Sequence, residues 1–492
     1  MKKKTIRLPV ILLCLILVLQ LAPVAVQADS EAPYGTYTFD KWGNAVPSPN
    51  AYLPTRSIGG AQLGCGSFNN AQDLFYSQAQ GEVYIADSGN KRVLVLSEDM
   101  ELVRELSTLT REDGTEYQFG EPRGIFVKDD GTMYVADMGN KEVVVCTNRG
   151  QYLSTLPTPE SNLLPDDFNY LPTKVVVDAK NRIYILSQGV YQGLIYLDTD
   201  GSFIKFFGSN DVEMTLQRRL QKTWKTILSD EAAATMQSFN PIEYGNIFLT
   251  EDGYIYATAA GSENGTSLMT KLNPLGTDCL PYKFAGSNSP FNDVAVNADG
   301  ITTLIDTQRG EIWQLDENGN TMFLFGGVGN QTGLFQRPVS VIEVNDNLYV
   351  MDADKNTITE FSLTEYGALV REAIALYNAG LYQECMEPWR EVIRHNSNYL
   401  LAYTGLGKAY YQLKDYDTAM YYFKLANGRT DYSVAFREAS LNHMRDSFGG
   451  IVLVLAVLLA AALIWKRLRR RGWPERAKHK KPLKPGRNGG KE

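Results

Sequence analysis

Histidine is almost missing from this chain: 492 residues hold three, His395, His443 and His479. None precedes residue 395, which excludes from that long stretch a His-ligated catalytic zinc, a Ser-His-Asp triad and a His general base. Cysteine is scarce too, five in all. Cys14 lies in an apolar leader, and Cys65, Cys146, Cys279 and Cys385 share no metal-ligand spacing. So few, so scattered, do not make a disulfide framework; buried free thiols are expected, with room for one bridge. Positive charge is short everywhere except at the ends. Residues 1–28 carry four basic groups and no acid, and residues 466–492 carry 12 Lys/Arg against two Glu. Removing that +4 and +10 from the net −8 leaves −22 on residues 29–465. A surface this acidic excludes nucleic acid as a partner, since such binding rests on neutralising phosphates.

The two ends explain the asymmetry. Met1-Lys2-Lys3-Lys4, an apolar run from Leu8 to Leu21 and Val26-Gln27-Ala28 have the order of a secretory signal peptide, residues 1–28. The rival is an uncleaved anchor, against which Gln20 and Pro23 break the run. Near the other end, Phe448 to Trp465 is an uncharged stretch of 18 residues, close to the length that crosses a bilayer core. Lys466, Arg467, Arg469, Arg470 and Arg471 follow at once, which places residues 466–492 in the cytoplasm and residues 29–447 outside. A single-pass plasma-membrane protein, bacterial by the style of its lysine-rich leader, is the expectation.

Between the ends the chain repeats itself. Tyr84-Ile85-Ala86-Asp87-Ser88-Gly89-Asn90-Lys91 returns 50 residues later as Tyr134-Val135-Ala136-Asp137-Met138-Gly139-Asn140-Lys141. Each copy is entered through an alternating strand such as Pro122-Arg123-Gly124-Ile125-Phe126-Val127, with Gly and Asn expected to supply the positive φ of the turns. Drifted copies follow from Pro172, Pro241, Pro290 and Pro338, making six units. Alternation and period together predict a mainly β, six-bladed propeller. The strand Thr36 to Asp40 stands alone ahead of the first unit and is expected to pair with the last blade, covering its edge. The phrase Tyr-Val-Ala-Asp-x-Gly-Asn-Lys resembles the NHL repeat, over residues 35–362, and the propeller domain is read as residues 29–362. Between Phe207 and Pro241 an insertion carries Leu216, Leu220, Trp224 and Ile227 at helical spacing, with Arg218, Arg219, Lys222 and Lys225 on its other face. It is expected either to pack as a helical hairpin on one rim or to dock a partner.

After Phe361 the period changes to that of helices. Gly407, Tyr410, Ala419, Phe423 and Ala426 resemble the signature of a tetratricopeptide repeat, and Ala373, Gly380, Trp389 and Val392 form a degenerate copy 34 residues earlier. The small residues are expected to let two helices cross closely. Residues 363–447 are therefore read as a small all-α domain, 448–465 as the membrane helix and 466–492 as the tail. The resemblance implies a groove for a peptide or partner protein; the alternative is a stalk.

The NHL resemblance reaches enzymes, among them six-bladed lactonases that hold a divalent ion with Glu, Asn and Asp. Asp73, Glu121, Glu243 and Asp293 each stand near the start of a unit's first strand and are the candidate channel-facing acids. Asp87, Asp137 and Asp352 follow the Tyr-centred strand and are read as turn formers. The expectation is a non-enzymatic, membrane-anchored binding or scaffold protein at the cell envelope, with no cofactor. It would serve a protein partner or extracellular ligand, as an accessory to a transport or secretion complex. The alternative is an extracellular Ca²⁺-dependent hydrolase or lyase.

Overall fold

The computed structural model describes residues 32–40, 42–164, 168–208, 243–259, 269–280 and 291–470. The leader, the insertion with Arg218, Arg219, Lys222, Trp224 and Lys225, the leading Pro241 and Pro290, and the tail beyond residue 470 lie outside the described residues.

Three strands come first: β1 (Tyr37–Phe39), β2 (Ala45–Pro47) and β3 (Tyr52–Gly59). Six antiparallel sheets then follow along the chain. The first holds β4 (Asp73–Ser77), β5 (Glu82–Asp87), β6 (Arg92–Ser97) and β7 (Leu102–Leu106). A rim hairpin, β8 (Thr108–Thr110) and β9 (Glu116–Gln118), leads to the second, β10 (Pro122–Val127), β11 (Thr132–Asp137), β12 (Glu142–Thr147) and β13 (Tyr152–Leu156). The third is β14 (Pro172–Val177), β15 (Ile183–Ser187), β16 (Leu194–Leu197) and β17 (Phe203–Phe207). The fourth has three described strands, β18 (Tyr244–Leu249), β19 (Ile255–Ala259) and β20 (Met269–Leu272). The fifth contains β21 (Phe291–Val296), β22 (Thr302–Asp306), β23 (Glu311–Leu315) and β24 (Thr321–Gly326), and the sixth β25 (Pro338–Val344), β26 (Asn347–Asp352) and β27 (Thr357–Leu363). Each first strand neighbours the first strand of the next sheet, and β25 returns to β4, so the sheets are six blades around one axis.

Strands such as Val143-Val144-Val145 are buried on both sides because each blade is packed between two others. One core joins the sixth and first blades through Val339, Met351, Leu74 and Ile85; others join successive pairs.

The strand that covers the last blade is not the expected one. Tyr37–Phe39 pairs with β24 of the fifth blade, Tyr37 opposite Leu324. The outer strand of the sixth blade is β3, running from Gly59 opposite Thr357 to Tyr52 opposite Leu363. Pro54 interrupts alternation there, and the structure tolerates it because β3 is an edge strand with a bulge beside Pro54.

In the turn after the first strand Gly and Asn supply the positive φ as expected, 82° at Gly131 and 62° at Asn181, but the repeated Asp-x-Gly-Asn turn differs. Its positive φ falls on Lys91 and Lys141, and on Asn356 in the sixth blade. Its glycines answer to crowding instead: a Cβ on Gly89 would lie 2.6 Å from the Asn69 carbonyl oxygen, and one on Gly139 would lie 2.5 Å from the Glu121 nitrogen.

Five helices follow among the described residues: α1 (Glu365–Asn378), α2 (Met386–His395), α3 (Leu400–Gln412), α4 (Tyr416–Leu425) and α5 (Arg429–Arg470). The chain divides into two compact units, residues 1–406 and 407–492, with α3 crossing the division. In the first, Thr364 caps α1 by accepting from Gly367 and donates to the Asn50 carbonyl. Arg371 of α1 pairs with Glu343 at 2.6 Å, and the Tyr399 hydroxyl donates to the Met322 carbonyl at 3.1 Å. These bonds fix α1 to the sixth blade and the turn between α2 and α3 to the fifth. In the second unit, a Cβ on Gly407 would meet the Phe423 ring at 2.6 Å. Ala419, Phe423 and Ala435 form a small core, Ala426 is buried, and Tyr410 stacks on Tyr422 at 5.4 Å. The close approach expected of the small residues is present. Helix α5, of 42 residues, contains the run from Phe448 to Trp465, exposed throughout, and is long and apolar enough to cross a membrane.

All four thiols of the described residues are free. Cys146 and Cys385 are buried as expected, whereas Cys65 is half-buried and Cys279 exposed. Burial pushes the Cys385 thiol up to about 11 and the Cys146 thiol to about 12, so both are inert.

Candidate functional site at the propeller centre

Each innermost strand gives one residue to a ring at equivalent register: Asp73, Gly124, Lys174, Asn246, Asp293 and Ser340. In β10, β14, β18, β21 and β25 the pairing slips just ahead of that residue, between Pro122 and Gly124 and likewise in the others. Such a bulge re-aims the side chain that follows it. Gly124 must lack one. Its Cβ would fall 2.4 Å from the Thr173 carbonyl oxygen and 3.1 Å from Lys174 Cδ, so the lysine of the third blade passes over the second to reach the first.

The ring bonds to itself. Lys174 Nζ lies 2.5 Å from Asp73 Oδ1, and Asp73 Oδ2 accepts from the Ile125 amide at 2.8 Å. Ser340 accepts from the Leu74 amide at 3.0 Å and donates to Asp293 Oδ2 at 2.8 Å, with Asp73 Oδ1 at 3.4 Å. Asp293 further accepts from Asn246 Nδ2 at 2.6 Å, from the Val341 amide at 2.8 Å and from its neighbour Val294 at 2.9 Å. Carboxylate or hydroxyl of one blade thus takes the amide of the next at three of the six junctions: first to second, fifth to sixth and sixth to first.

Two carboxylates share one ammonium, all of it buried. Burial pushes the Asp73 carboxyl up, and Lys174 opposes the rise. Burial also lifts Asp293 to about 6; Lys174 pulls it down and the Asp73 charge pushes it further up. A titratable carboxyl displaced into the neutral range is a candidate for proton chemistry. As a calcium site the ring is a poor match. Ca²⁺ takes six to eight oxygens. Here the Asp73 oxygens are held by a resident ammonium and an amide, and those of Asp293 by four donors. Among the described residues no three His, Cys, Asp or Glu side chains converge as a ligand set.

Of the four acids singled out from sequence, Asp73 and Asp293 come together and Glu121 and Glu243 do not. The latter two precede the bulge and stay at the rim, on the side where the innermost strands begin. Glu121 pairs with Arg123 at 2.7 Å. Glu243 accepts from the Gly189 amide at 2.6 Å, and burial raises its carboxyl. Sequence reasoning missed Gly124, Lys174, Asn246 and Ser340. Aligning the units on their leading prolines would not have found them: Gly124, Lys174 and Ser340 follow Pro122, Pro172 and Pro338 by two residues, but Asp293 follows Pro290 by three and Asn246 follows Pro241 by five, and the common register shows only in the strand pairing.

The repeated aspartates are turn formers. Asp137 accepts from the Gly120 and Glu121 amides at 2.8 and 2.7 Å and from the Tyr117 hydroxyl at 2.9 Å. Asp87 and Asp352 receive the amides of Asn69 and Gln336 in the same way. Each ties the turn after a second strand to the lead-in of the first.

Above the ring, at the rim where the innermost strands begin, six side chains form an arc over the sixth, first and second blades. Arg337 bonds Asp354 at 2.7 Å and Asn70 at 2.6 Å; Gln72 donates to Asn70 at 2.8 Å. Arg123 donates to Gln72 at 3.1 Å and to Glu121 at 2.9 Å. Opposite, Thr173, Gly245 and Asn292 are short.

No protein-family profile matches the chain, and no curated protein does. Solved structures similar to it include virginiamycin B lyase from Staphylococcus aureus, at 11% identity, covering 63% of this chain and 99% of that one with a TM-score of 0.39. Another is a streptogramin B lyase, at 13% identity, 65% and 91% coverage and a TM-score of 0.38. A third is a protein of unknown function from Bacteroides thetaiotaomicron, at 14% identity, 67% and 76% coverage and a TM-score of 0.41. Likeness at this level carries no argument about function.

Proposed function

We propose that this is a membrane-anchored, extracytoplasmic binding protein whose propeller receives a protein segment or small ligand at the rim around Arg123 and Arg337, without transforming it. The observation that carries this reading is the self-bonded ring. The buried acids, hydroxyl and ammonium satisfy one another, which leaves, among the described residues around the ring, the arc from Asp354 to Glu121 as a polar surface open to a partner. In this reading the blades are NHL-like, and α1 to α5 begin with tetratricopeptide-like hairpins. Helix α5 crosses a bacterial plasma membrane, with residues 29–447 outside and the basic tail inside. The Lys466, Arg467, Arg469 and Arg470 cluster at the end of α5 supports that direction.

A photo-crosslinker at Asp354 of the full-length protein in its own membrane is expected to yield a discrete adduct. The adduct should vanish when Arg123 and Arg337 are both replaced by alanine. No adduct, or one indifferent to both arginines, overturns the assignment of the rim. The competing reading, a Ca²⁺-dependent hydrolase or lyase, draws on the raised Asp293 carboxyl. Lactone turnover that needs Ca²⁺ and disappears in Asp293→Asn would establish it in place of simple binding.

A further inference from the structure

Helix α5 carries an apolar stripe that nothing among the described residues of its own unit covers. Ala435 and Ala439 are its buried residues, and Ala435 packs on Ala419 and Phe423 of α4. Val434, Leu441, Met444 and Phe448 lie about 100–180° around the axis from Ala435, on the far side. They are 36%, 44%, 57% and 66% exposed. The other residues between them on that side are Phe436, Arg437, Ser440 and Ser447.

The stripe keeps a strict seven-residue repeat. Val434, Leu441, Phe448, Leu455 and Ala462 fall at one position, and Arg437, Met444, Ile451, Leu458 and Trp465 at the other. Such spacing holds one seam toward a partner helix over many turns. It runs from the polar part of α5 into the apolar part without a shift in register.

Lipid cannot cover it. If residues 448–465 cross the bilayer, as proposed above, Val434 stands about 21 Å beyond Phe448 along the helix. The headgroup layer is only about 5–8 Å deep on each side. The upper half of the stripe is therefore in water and calls for protein.

We infer that the occupant is a second copy of this chain, joined in parallel along α5 from Val434 into the membrane. A second copy meets three conditions at once. It is held at the same depth by the same Lys466 and Arg467 boundary, it inserts in the same direction, and it presents the same stripe at the same height. The one charged seam residue is also provided for. Arg437 stands next to Glu438, 3.4 Å away within the chain, and both are at the surface. In a parallel pair each arginine meets the other copy's glutamate beside the seam. Ser433, Ser440 and Ser447 recur on one flank every seven residues, small enough for close approach.

Cysteines introduced singly from position 434 to 448 test this, in full-length protein carrying Cys279→Ser, oxidised in native membranes. Disulfide-linked dimer should peak at positions 434, 441, 444 and 448, several-fold above 435, 439 and 442, as a heptad seam requires. An even spread, no dimer at any position, or adducts only to other proteins overturns the proposal. The double variant Leu441→Glu/Met444→Glu should lose the dimer while the propeller unfolds at an unchanged temperature. Alkaline carbonate extraction of the same membranes reads the span separately. Release of the chain would sink the membrane reading, and the cross-linking pattern would still decide the pairing.

Discussion

Lys174 neutralises Asp73 across the width of a blade, and the cost of losing it follows from what remains. Lys174→Met would leave two buried carboxylates with no cation, a loss of roughly 3–5 kcal/mol by analogy with broken buried pairs. Urea unfolding followed by the fluorescence of buried Trp313 measures it. Asp293 adds a pH dependence with a definite sign. Its folded value of about 6 lies above the 3.8 of an ordinary aspartate, so its contribution to stability is complete below about 4 and fades as pH rises through 6. Wild type should lose of order 2–3 kcal/mol relative to Asp293→Asn between pH 4 and pH 7. Parallel melting curves for the two proteins would dispose of this. None of these contacts announces itself locally. Ser340 and Asp293 are 47 residues apart, Lys174 and Asp73 101, and Ser340 and Asp73 267. Each unit supplies one residue of an unremarkable type, and only the ring makes them a group.

Elements were legible where the physics is local. Alternation, the Pro leads and the Asp-x-Gly-Asn turn located five of the inner strands and the buried aspartates within them. Two details escaped because they depend on neighbours. The turn glycines are required by the opposing chain, not by their own φ, so Gly139→Ala should cost about 1–3 kcal/mol by overpacking. Lys91, exposed with φ of 55°, should accept glycine with no loss, or gain up to about 1 kcal/mol. Equal effects of the two changes on the denaturation midpoint would contradict the assignment. The edge strand β3 was hidden by Pro54, and what identifies it is its partner. Ile58 is buried among Leu74, Leu94 and Ile358. Ile58→Ala should cost about 2–4 kcal/mol and speed hydrogen exchange in β27 ahead of the other blades. Uniform acceleration around the ring would show that the edge is not a separate point of weakness.

For the molecule as a whole, periodicity located the ring and hydropathy the helix long and apolar enough to cross a membrane, while ligand and partner stayed out of reach because the rim is assembled from three blades. In the proposed topology, the charge of −22 on residues 29–465 and the basic cluster after Trp465 fall in different compartments. Full-length protein should resist alkaline carbonate extraction, and a chain ended after Asp446 should be released into solution; release of both would remove the anchor. The edge strand sets a timetable as well. Thr55 meets Glu360 across 305 residues. At roughly 5–20 residues per second, an emerging β3 waits on the order of 15–60 s for its partner to be synthesised. If the chain is exported as proposed, that interval is spent outside the cell, with five blades formed and one unpaired edge. The last blade is completed fewer than 90 residues before the apolar run reaches the translocation channel. In that reading, folding of the ring and arrest in the membrane are nearly simultaneous, and a slow sixth blade would leave an anchored, open ring at the surface, a substrate for surface proteases.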